Sequence, residues 1–285
     1  MPTPSILTVA APDGVRLRVQ VHAATEPSGA RVPTVVLAHG WTLTHASWLP
    51  VVDRLTERGL RVVTWDQRGH GRSGALRGPA SVRSLGDDLA AVIAAVAPGG
   101  PLVLGGHSMG GMTVMAYAGL HPQAFTDHVA GVVLVSTTAG SSQRRLPVRQ
   151  GRAMKLAARL PGIHAGRFVT LKAQRRLLFG PEADAAQVSL TRDQVAATTL
   201  PTMGRFYQAL AEHDETLALS HFGGIPMVVL AGENDRLTPP GEAARLAELA
   251  PHAELRILPG HGHMLAYEAT DEVVDAFRTV LTRSW

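Results

Sequence analysis

Five short, continuous apolar runs constrain the fold of this chain more than any other feature. They are Thr34–Ala38, Arg61–Trp65, Leu102–Leu104, Val132–Val135 and Met227–Leu230, all rich in Val and Leu. Such runs are too short for helices and lack the polar alternation of a strand with one wet face. They fit parallel strands covered on both sides. Helical stretches lie between them at Trp48–Glu57, Ser84–Val96, Gly111–Leu120 and Gly241–Leu249. Strand and helix in alternation predict right-handed crossovers and a parallel sheet with helices on both faces.

The two ends of the chain extend this sheet. Val15, Leu17, Val19 and Val21 alternate with Arg16, Arg18, Gln20 and His22, as in a half-buried strand. Asp13-Gly14 before them is a hairpin turn, so Ser5–Ala10 becomes the partner strand. A last strand over Glu254–Leu258 and a last helix over Glu272–Arg283 complete an eight-stranded, mostly parallel α/β arrangement.

One interval breaks the pattern. From about Gly140 to Phe222 no strand is legible, only helical segments with turn breaks at Gly162, Gly180-Pro181 and Pro201. An insertion of this size after a strand reads as a helical cap over the C-terminal edge of the sheet, where open parallel sheets bind ligands. The expected organisation is a core of residues 1–139 and 223–285 with a cap of residues 140–222. At 285 residues that is one domain carrying an insertion rather than two domains.

The strongest chemical signal is Gly106-His107-Ser108-Met109-Gly110, preceded by a strand and followed by a helix from Met112 to Leu120 stopped by Pro122. A Gly-x-Ser-x-Gly turn between strand and helix exposes the Ser hydroxyl, and its glycines let the two elements cross without Cβ clashes. The N-terminus of the following helix points at any developing oxyanion. A serine hydroxyl needs a base, and the base needs a group to orient it. His263, in the Gly-rich loop after the last strand, is the chosen base, with His261 as its rival. Asp235, in the loop leaving the preceding strand, is the chosen acid, with Glu233 as the alternative. The resulting order is Ser, then Asp, then His.

With these motifs in place the sequence resembles the α/β-hydrolase family over nearly the whole chain outside the cap. The resemblance includes His39-Gly40-Trp41 after the third strand and Asp66-Gln67-Arg68-Gly69-His70-Gly71-Arg72-Ser73, which looks like the family's Asp-x-Arg-Gly-x-Gly-x-Ser loop. It implies an oxyanion hole made of the backbone N–H groups of Met109 and Trp41. The His107-Ser108-Met109-Gly110-Gly111 stretch is similar to monoacylglycerol lipases. Family members with Asp or Cys nucleophiles, such as epoxide hydrolases and haloalkane dehalogenases, are disfavoured by Ser at position 108.

Several weaker signals are discounted. Gly69 to Gly74 matches Gly-x-Gly-x-x-Gly, but a dinucleotide site needs a helix opening on those glycines, and a loop follows instead. His261-Gly262-His263 lacks the further ligands of a metal motif, so no cofactor and no metal are expected. The absence of cysteine excludes a thiol nucleophile, a disulfide framework and a Cys-bound zinc.

The net charge of +4 is local. Residues 141–176 carry ten cations (Arg144, Arg145, Arg149, Arg152, Lys155, Arg159, Arg167, Lys172, Arg175 and Arg176) and no acid. The remainder holds 17 cations against 23 anions, which removes nucleic acid as a natural partner. The basic cap is read as a solvated outer face in preference to a contact for anionic lipid, with Met154, Leu156, Leu160, Phe168 and Leu171 packing inward. With Met203 and Phe206 these suggest a hydrophobic acyl or alkyl pocket. No run approaches the roughly 20 apolar residues of a membrane span, and the first cation, Arg16, is followed by no apolar segment. A cytoplasmic protein is expected.

The expected function is cofactor-free hydrolysis of carboxylic esters by Ser108, His263 and Asp235. Acyl transfer, thioester hydrolysis, C–C bond hydrolysis and haloperoxidase or perhydrolase chemistry use the same groups. A non-catalytic ligand receptor on this fold would show tight stoichiometric binding without turnover.

Overall fold

A computed structural model describes residues 3–25, 32–140, 148–160 and 162–283. In chain order the elements are β1 (Ser5–Ala10), β2 (Arg16–His22), β3 (Thr34–Ala38), α1 (Leu49–Glu57), β4 (Val62–Trp65), α2 (Val82–Val96), β5 (Leu102–His107), α3 (Met109–Leu120), α4 (Pro122–His128) and β6 (Val129–Val135). There follow α5 (Val148–Ala157), α6 (Leu171–Leu178), α7 (Ala185–Ala197), α8 (Leu200–Glu212), β7 (Met227–Gly232), α9 (Pro240–Leu249), β8 (Glu254–Leu258), α10 (Leu265–Glu268) and α11 (Thr270–Arg283).

All eight expected strands form one sheet in the order β1-β2-β4-β3-β5-β6-β7-β8. The β1–β2 and β2–β4 pairs are antiparallel, and every other pair is parallel. Alternate residues of the inner strands feed two separate cores. Leu102, Leu104, Val132, Leu134 and Val229 enter one, with α2 and α3 residues such as Leu89 and Met115. Val103, Val133, Val135, Val228 and Leu230 enter the other, with Phe277 and Val280 of α11 and Val51 of α1. The continuous apolar runs are thus explained by a sheet that is dry on both faces. Helix α3 lies buried along ten of its twelve residues.

Helix α3 ends at Leu120 as expected, and Pro122 opens the next helix, α4. The break expected at Pro201 lies just before it, between Ala197 and Leu200, and Pro201 itself occupies the first turn of α8, which has no use for the N–H that proline lacks.

Between β6 and β7 the insertion is helical as expected, and β-pairing among its described residues is limited to isolated bridges of Gly140 with Asp214 and His164 with Thr199. Its apolar residues are a correction. Leu156 is 63% exposed and Leu171 47% exposed. Helix α5 meets α8 almost backbone to backbone, since a Cβ on Gly204 would lie 2.4 Å from the Met154 carbonyl oxygen. That contact turns Met154, Ala157 and Ala158 inward and leaves Leu156 on the far side. The basic residues Arg152, Lys155, Arg159, Lys172, Arg175 and Arg176 are all exposed. Arg144 and Arg145, and the side chains of Arg149, Arg167 and Phe168, lie outside the described residues. Among the described residues no helix is long and apolar enough to cross a membrane.

Candidate active site

Ser108 stands between β5 and α3 with φ 52° and ψ −117°. A non-glycine residue held there costs about 1–3 kcal/mol and persists only where its surroundings over-determine it. The surroundings here are steric. A Cβ on Gly106 would lie 2.4 Å from the Gly110 carbonyl oxygen, and one on Gly110 would lie 2.0 Å from that of Ala38. The turn is also anchored from β6 and the residues after it. Ser108 N–H donates to the Val135 carbonyl at 2.9 Å, and Thr137 Oγ1 donates to the Ser108 carbonyl at 2.7 Å. Helix α3 begins at Met109, three residues earlier than the sequence suggested.

Met109 therefore supplies the first amide of a buried helix, and Trp41 lies in the turn after β3. Among the described residues neither amide is taken by a backbone carbonyl or a side chain. The turn beyond Trp41 is held by histidines. Thr42, in the left-handed region at φ 63°, donates its N–H to His70 Nε2 at 3.2 Å. His70 Nδ1 lies 3.0 Å from the Arg68 carbonyl, which fixes that nitrogen as the donor and Nε2 as the acceptor. His39 is placed likewise, donating from Nδ1 to the Gly40 carbonyl at 2.7 Å and accepting the Gln67 N–H at Nε2 at 2.9 Å. Burial depresses both imidazoles, His39 to about 4 and His70 to about 3, so they stay neutral and keep these roles.

His263 and Asp235 come together from loops 28 residues apart. His263 Nδ1 donates to Asp235 Oδ2 at 2.7 Å, and both side chains are almost fully buried. Asp235 Oδ1 accepts the N–H groups of Leu237 and Thr238 at 2.8 and 2.9 Å, and Thr238 Oγ1 donates to Oδ2 at 2.8 Å. Burial alone would raise the carboxyl pKa, but the neighbouring imidazole and the Thr238 bonds outweigh it and hold Asp235 below the ordinary range. The Nδ1 proton is thus committed to the carboxylate, and Nε2 is the nitrogen left to accept one.

His107 links this pair to the Ser108 turn. Its ring centroid lies 4.8 Å from that of His263, and its Nε2 donates to the His263 carbonyl at 2.9 Å. Burial holds it near 3, so it does not compete for protons.

The rivals face elsewhere. Glu233 is exposed and accepts the Gly260 N–H at 3.0 Å, while His261 joins the site through its carbonyl, which accepts the Asn234 N–H at 2.8 Å. In the Gly69–Gly74 turn, the Arg72 N–H donates to the Asp66 carboxylate at 3.0 Å. Burial works to raise the Asp66 pKa, but the His45 hydrogen bond and charge, with His39 and Arg72, bring it to about 2. The turn therefore encloses an anion of its own.

His107 has the role of a loop hydrogen-bonder that its place beside Ser108 suggests. Sequence reasoning missed Thr238 and Glu268. The Asp-x-x-Thr spacing of Asp235 and Thr238 is a readable turn pattern. Glu268 joins two nearby amides, Gly262 and Met264, to the distant one of Gly180.

With this geometry in view, comparison with known proteins places the chain. The family model described as serine aminopeptidase, S33 matches residues 29–270. The chain belongs to this α/β-hydrolase family. "Probable oxidoreductase EphD" of Mycobacterium tuberculosis is 39% identical over 141 residues, which are 48% of this chain and only 22% of that protein. The chain thus spans about a fifth of the length of that relative. The monoacylglycerol lipase of Mycolicibacterium smegmatis is 28% identical over 273 residues, covering 92% of this chain and 90% of that one. A thermophilic esterase from Thermogutta terrifontis has the same fold, with a TM-score of 0.80, 23% identity and coverage of 98% and 99%.

Proposed function

We propose that this member of the family hydrolyses carboxylic esters with an apolar acyl or alkyl group through Ser108, His263 and Asp235. The observation that carries the reading is the buried 2.7 Å Asp235–His263 pair set beside a strained serine turn. The full-length relative that is a monoacylglycerol lipase points the same way.

Ser108 Oγ attacks the ester carbonyl carbon while His263 Nε2 takes the hydroxyl proton. Asp235 holds the imidazole in the required tautomer and stabilises the imidazolium. The tetrahedral oxyanion receives the N–H groups of Met109 and Trp41, each commonly contributing about 3–4 kcal/mol. His263 then protonates the departing alkoxide, and water attacks the acyl-enzyme with His263 again as base. Residues 140–222 serve as the cap on a core of residues 1–139 and 223–285. Trp41, Phe206 and Met109 on one side, with Leu43, Phe179 and Met264 on the other, offer the apolar walls.

A fluorophosphonate probe is expected to label Ser108, and Ser108→Ala to lose hydrolysis of p-nitrophenyl esters. Undiminished turnover by that variant would sink the assignment. Varying the acyl chain, with and without an alcohol acceptor or hydrogen peroxide, separates hydrolysis from acyl transfer and perhydrolysis.

A further inference from the structure

The loop that carries His263 is held almost entirely through its backbone. His263 N–H donates to the Leu178 carbonyl at 2.7 Å, and its own carbonyl accepts from His107 Nε2 at 2.9 Å. The amides on either side, Gly262 and Met264, both donate to Glu268, at 3.0 Å to Oε2 and 3.0 Å to Oε1 respectively. Glu268 Oε2 also accepts the Gly180 N–H at 2.6 Å, from the end of the insertion's helix α6. One carboxylate therefore gathers three N–H groups, two from the loop of the base and one from the cap.

The cap segment and the loop meet without side chains between them. A Cβ on Gly180 would lie 2.0 Å from the Gly260 carbonyl oxygen, and one on Gly262 would lie 2.5 Å from the Phe179 carbonyl carbon. At such distances the cap segment forms one wall of the seat on which the imidazole rests.

We propose that Glu268 is a positioning residue for His263, clamping the loop of the base to the cap through the amides of Gly262, Met264 and Gly180. The inference rests on His263 serving as the base in ester hydrolysis. The chemistry calls for a carboxylate because all three partners are donors. A glutamine offers one acceptor oxygen and turns an NH2 towards an N–H, so at least one bond is lost and one contact becomes repulsive. An aspartate keeps both oxygens but is one methylene short of spanning the three amides.

Misplacing a catalytic group by about 1 Å costs on the order of 100-fold. Glu268→Gln is therefore expected to lower kcat by roughly 10- to 100-fold on p-nitrophenyl butyrate, with KM changed by no more than about twofold, and Glu268→Asp to fall between it and the wild type. Activity is expressed per site titrated with a fluorophosphonate, so that a loss of folded protein does not count as a loss of rate. A purely structural role would lower the titrated fraction and leave turnover per site unchanged. Hydrogen exchange read by mass spectrometry is expected to rise in Glu268→Gln over residues 259–266 and 176–184, with the β5–α3 turn unaffected.

Wild-type kcat per site in both variants, a change confined to KM, or unchanged exchange in those two segments overturns the proposal. If Glu268→Gln yields no folded protein, Glu268→Asp decides by the same kcat and exchange readouts. Ser108→Ala separates the two claims. Undiminished turnover in that variant defeats the ester-hydrolase reading. Loss there with normal Glu268 variants defeats only the clamp.

Discussion

Asp235 has three hydrogen bonds besides the one from His263, from Leu237 N, Thr238 N and Thr238 Oγ1. An asparagine has only one acceptor oxygen to share among these donors and offers an NH2 in place of the other. In Asp235→Asn the imidazole then favours the wrong tautomer, a change that removes about 10⁴-fold from kcat in a chymotrypsin-like protease with a Ser-His-Asp triad. We expect a loss of that order in steady-state assays with little change in KM, and wild-type turnover would remove Asp235 from the mechanism. At this scale the sequence supplied good candidates. Ser108 was legible because its turn is local, five residues whose sterics depend on one another. Choosing His263 over His261, or Asp235 over Glu233, rests on which side chain points inward, and only the tertiary contacts decide that. Glu268 was invisible for the same reason, since its donors Gly180 and Gly262 lie 82 residues apart in the chain.

Strands were legible because two dry faces demand continuous apolar residues, and each run formed one. Closer fits were not. Gly105 reads as an interruption of the β5 run, yet a Cβ there would lie 2.5 Å from Phe277 Cζ and 2.6 Å from Leu37 Cδ2. Overpacking of this kind costs about 1–3 kcal/mol. Gly105→Ala is expected to lower the unfolding free energy measured by urea titration by that amount, and Phe277→Leu in the same chain to recover part of it by vacating the space. A double-mutant cycle that is strictly additive would contradict the fit. Helix starts were less legible than helix ends: α3 stops at Leu120 ahead of Pro122 as expected, but it begins at Met109 rather than Met112. The inward face assigned to Leu156 failed because Gly204 draws α5 onto α8 through small residues, and Leu171, at the start of α6, is exposed as well.

At the scale of the whole molecule, burial lowers the pKa of five imidazoles among the described residues, His22 and four that are shifted far enough to stay neutral well into the acid range. Burial lowers His39 and His213 to about 4 and His70 and His107 to about 3, against 6.5 for the free side chain. Below pH 6.5 the unfolded chain binds protons at these groups and the folded chain does not. Stability is therefore full above pH 6.5 and falls as the pH drops towards 4, by up to about 1.4 kcal/mol per unit for each imidazole. Asp66, at about 2 when folded, adds a further loss only below its unfolded value of 3.8. Unfolding at pH 5.5 should take up about three to four protons, measurable by calorimetry in buffers of different ionisation enthalpy. Uptake near zero would mean that these histidines are solvated or charged in the fold. The cation cluster was legible as a local property of residues 141–176, and all six of its described side chains face solvent.

The most direct test of the account is to catch the covalent intermediate. Wild-type protein mixed with p-nitrophenyl butyrate and quenched in acid within the first turnover should carry one butyryl group. Peptide mapping should place that group on Ser108, and His263→Ala should leave the protein unacylated on the same timescale. Rapid turnover with no acyl group on Ser108, or acylation at any other residue, would contradict it.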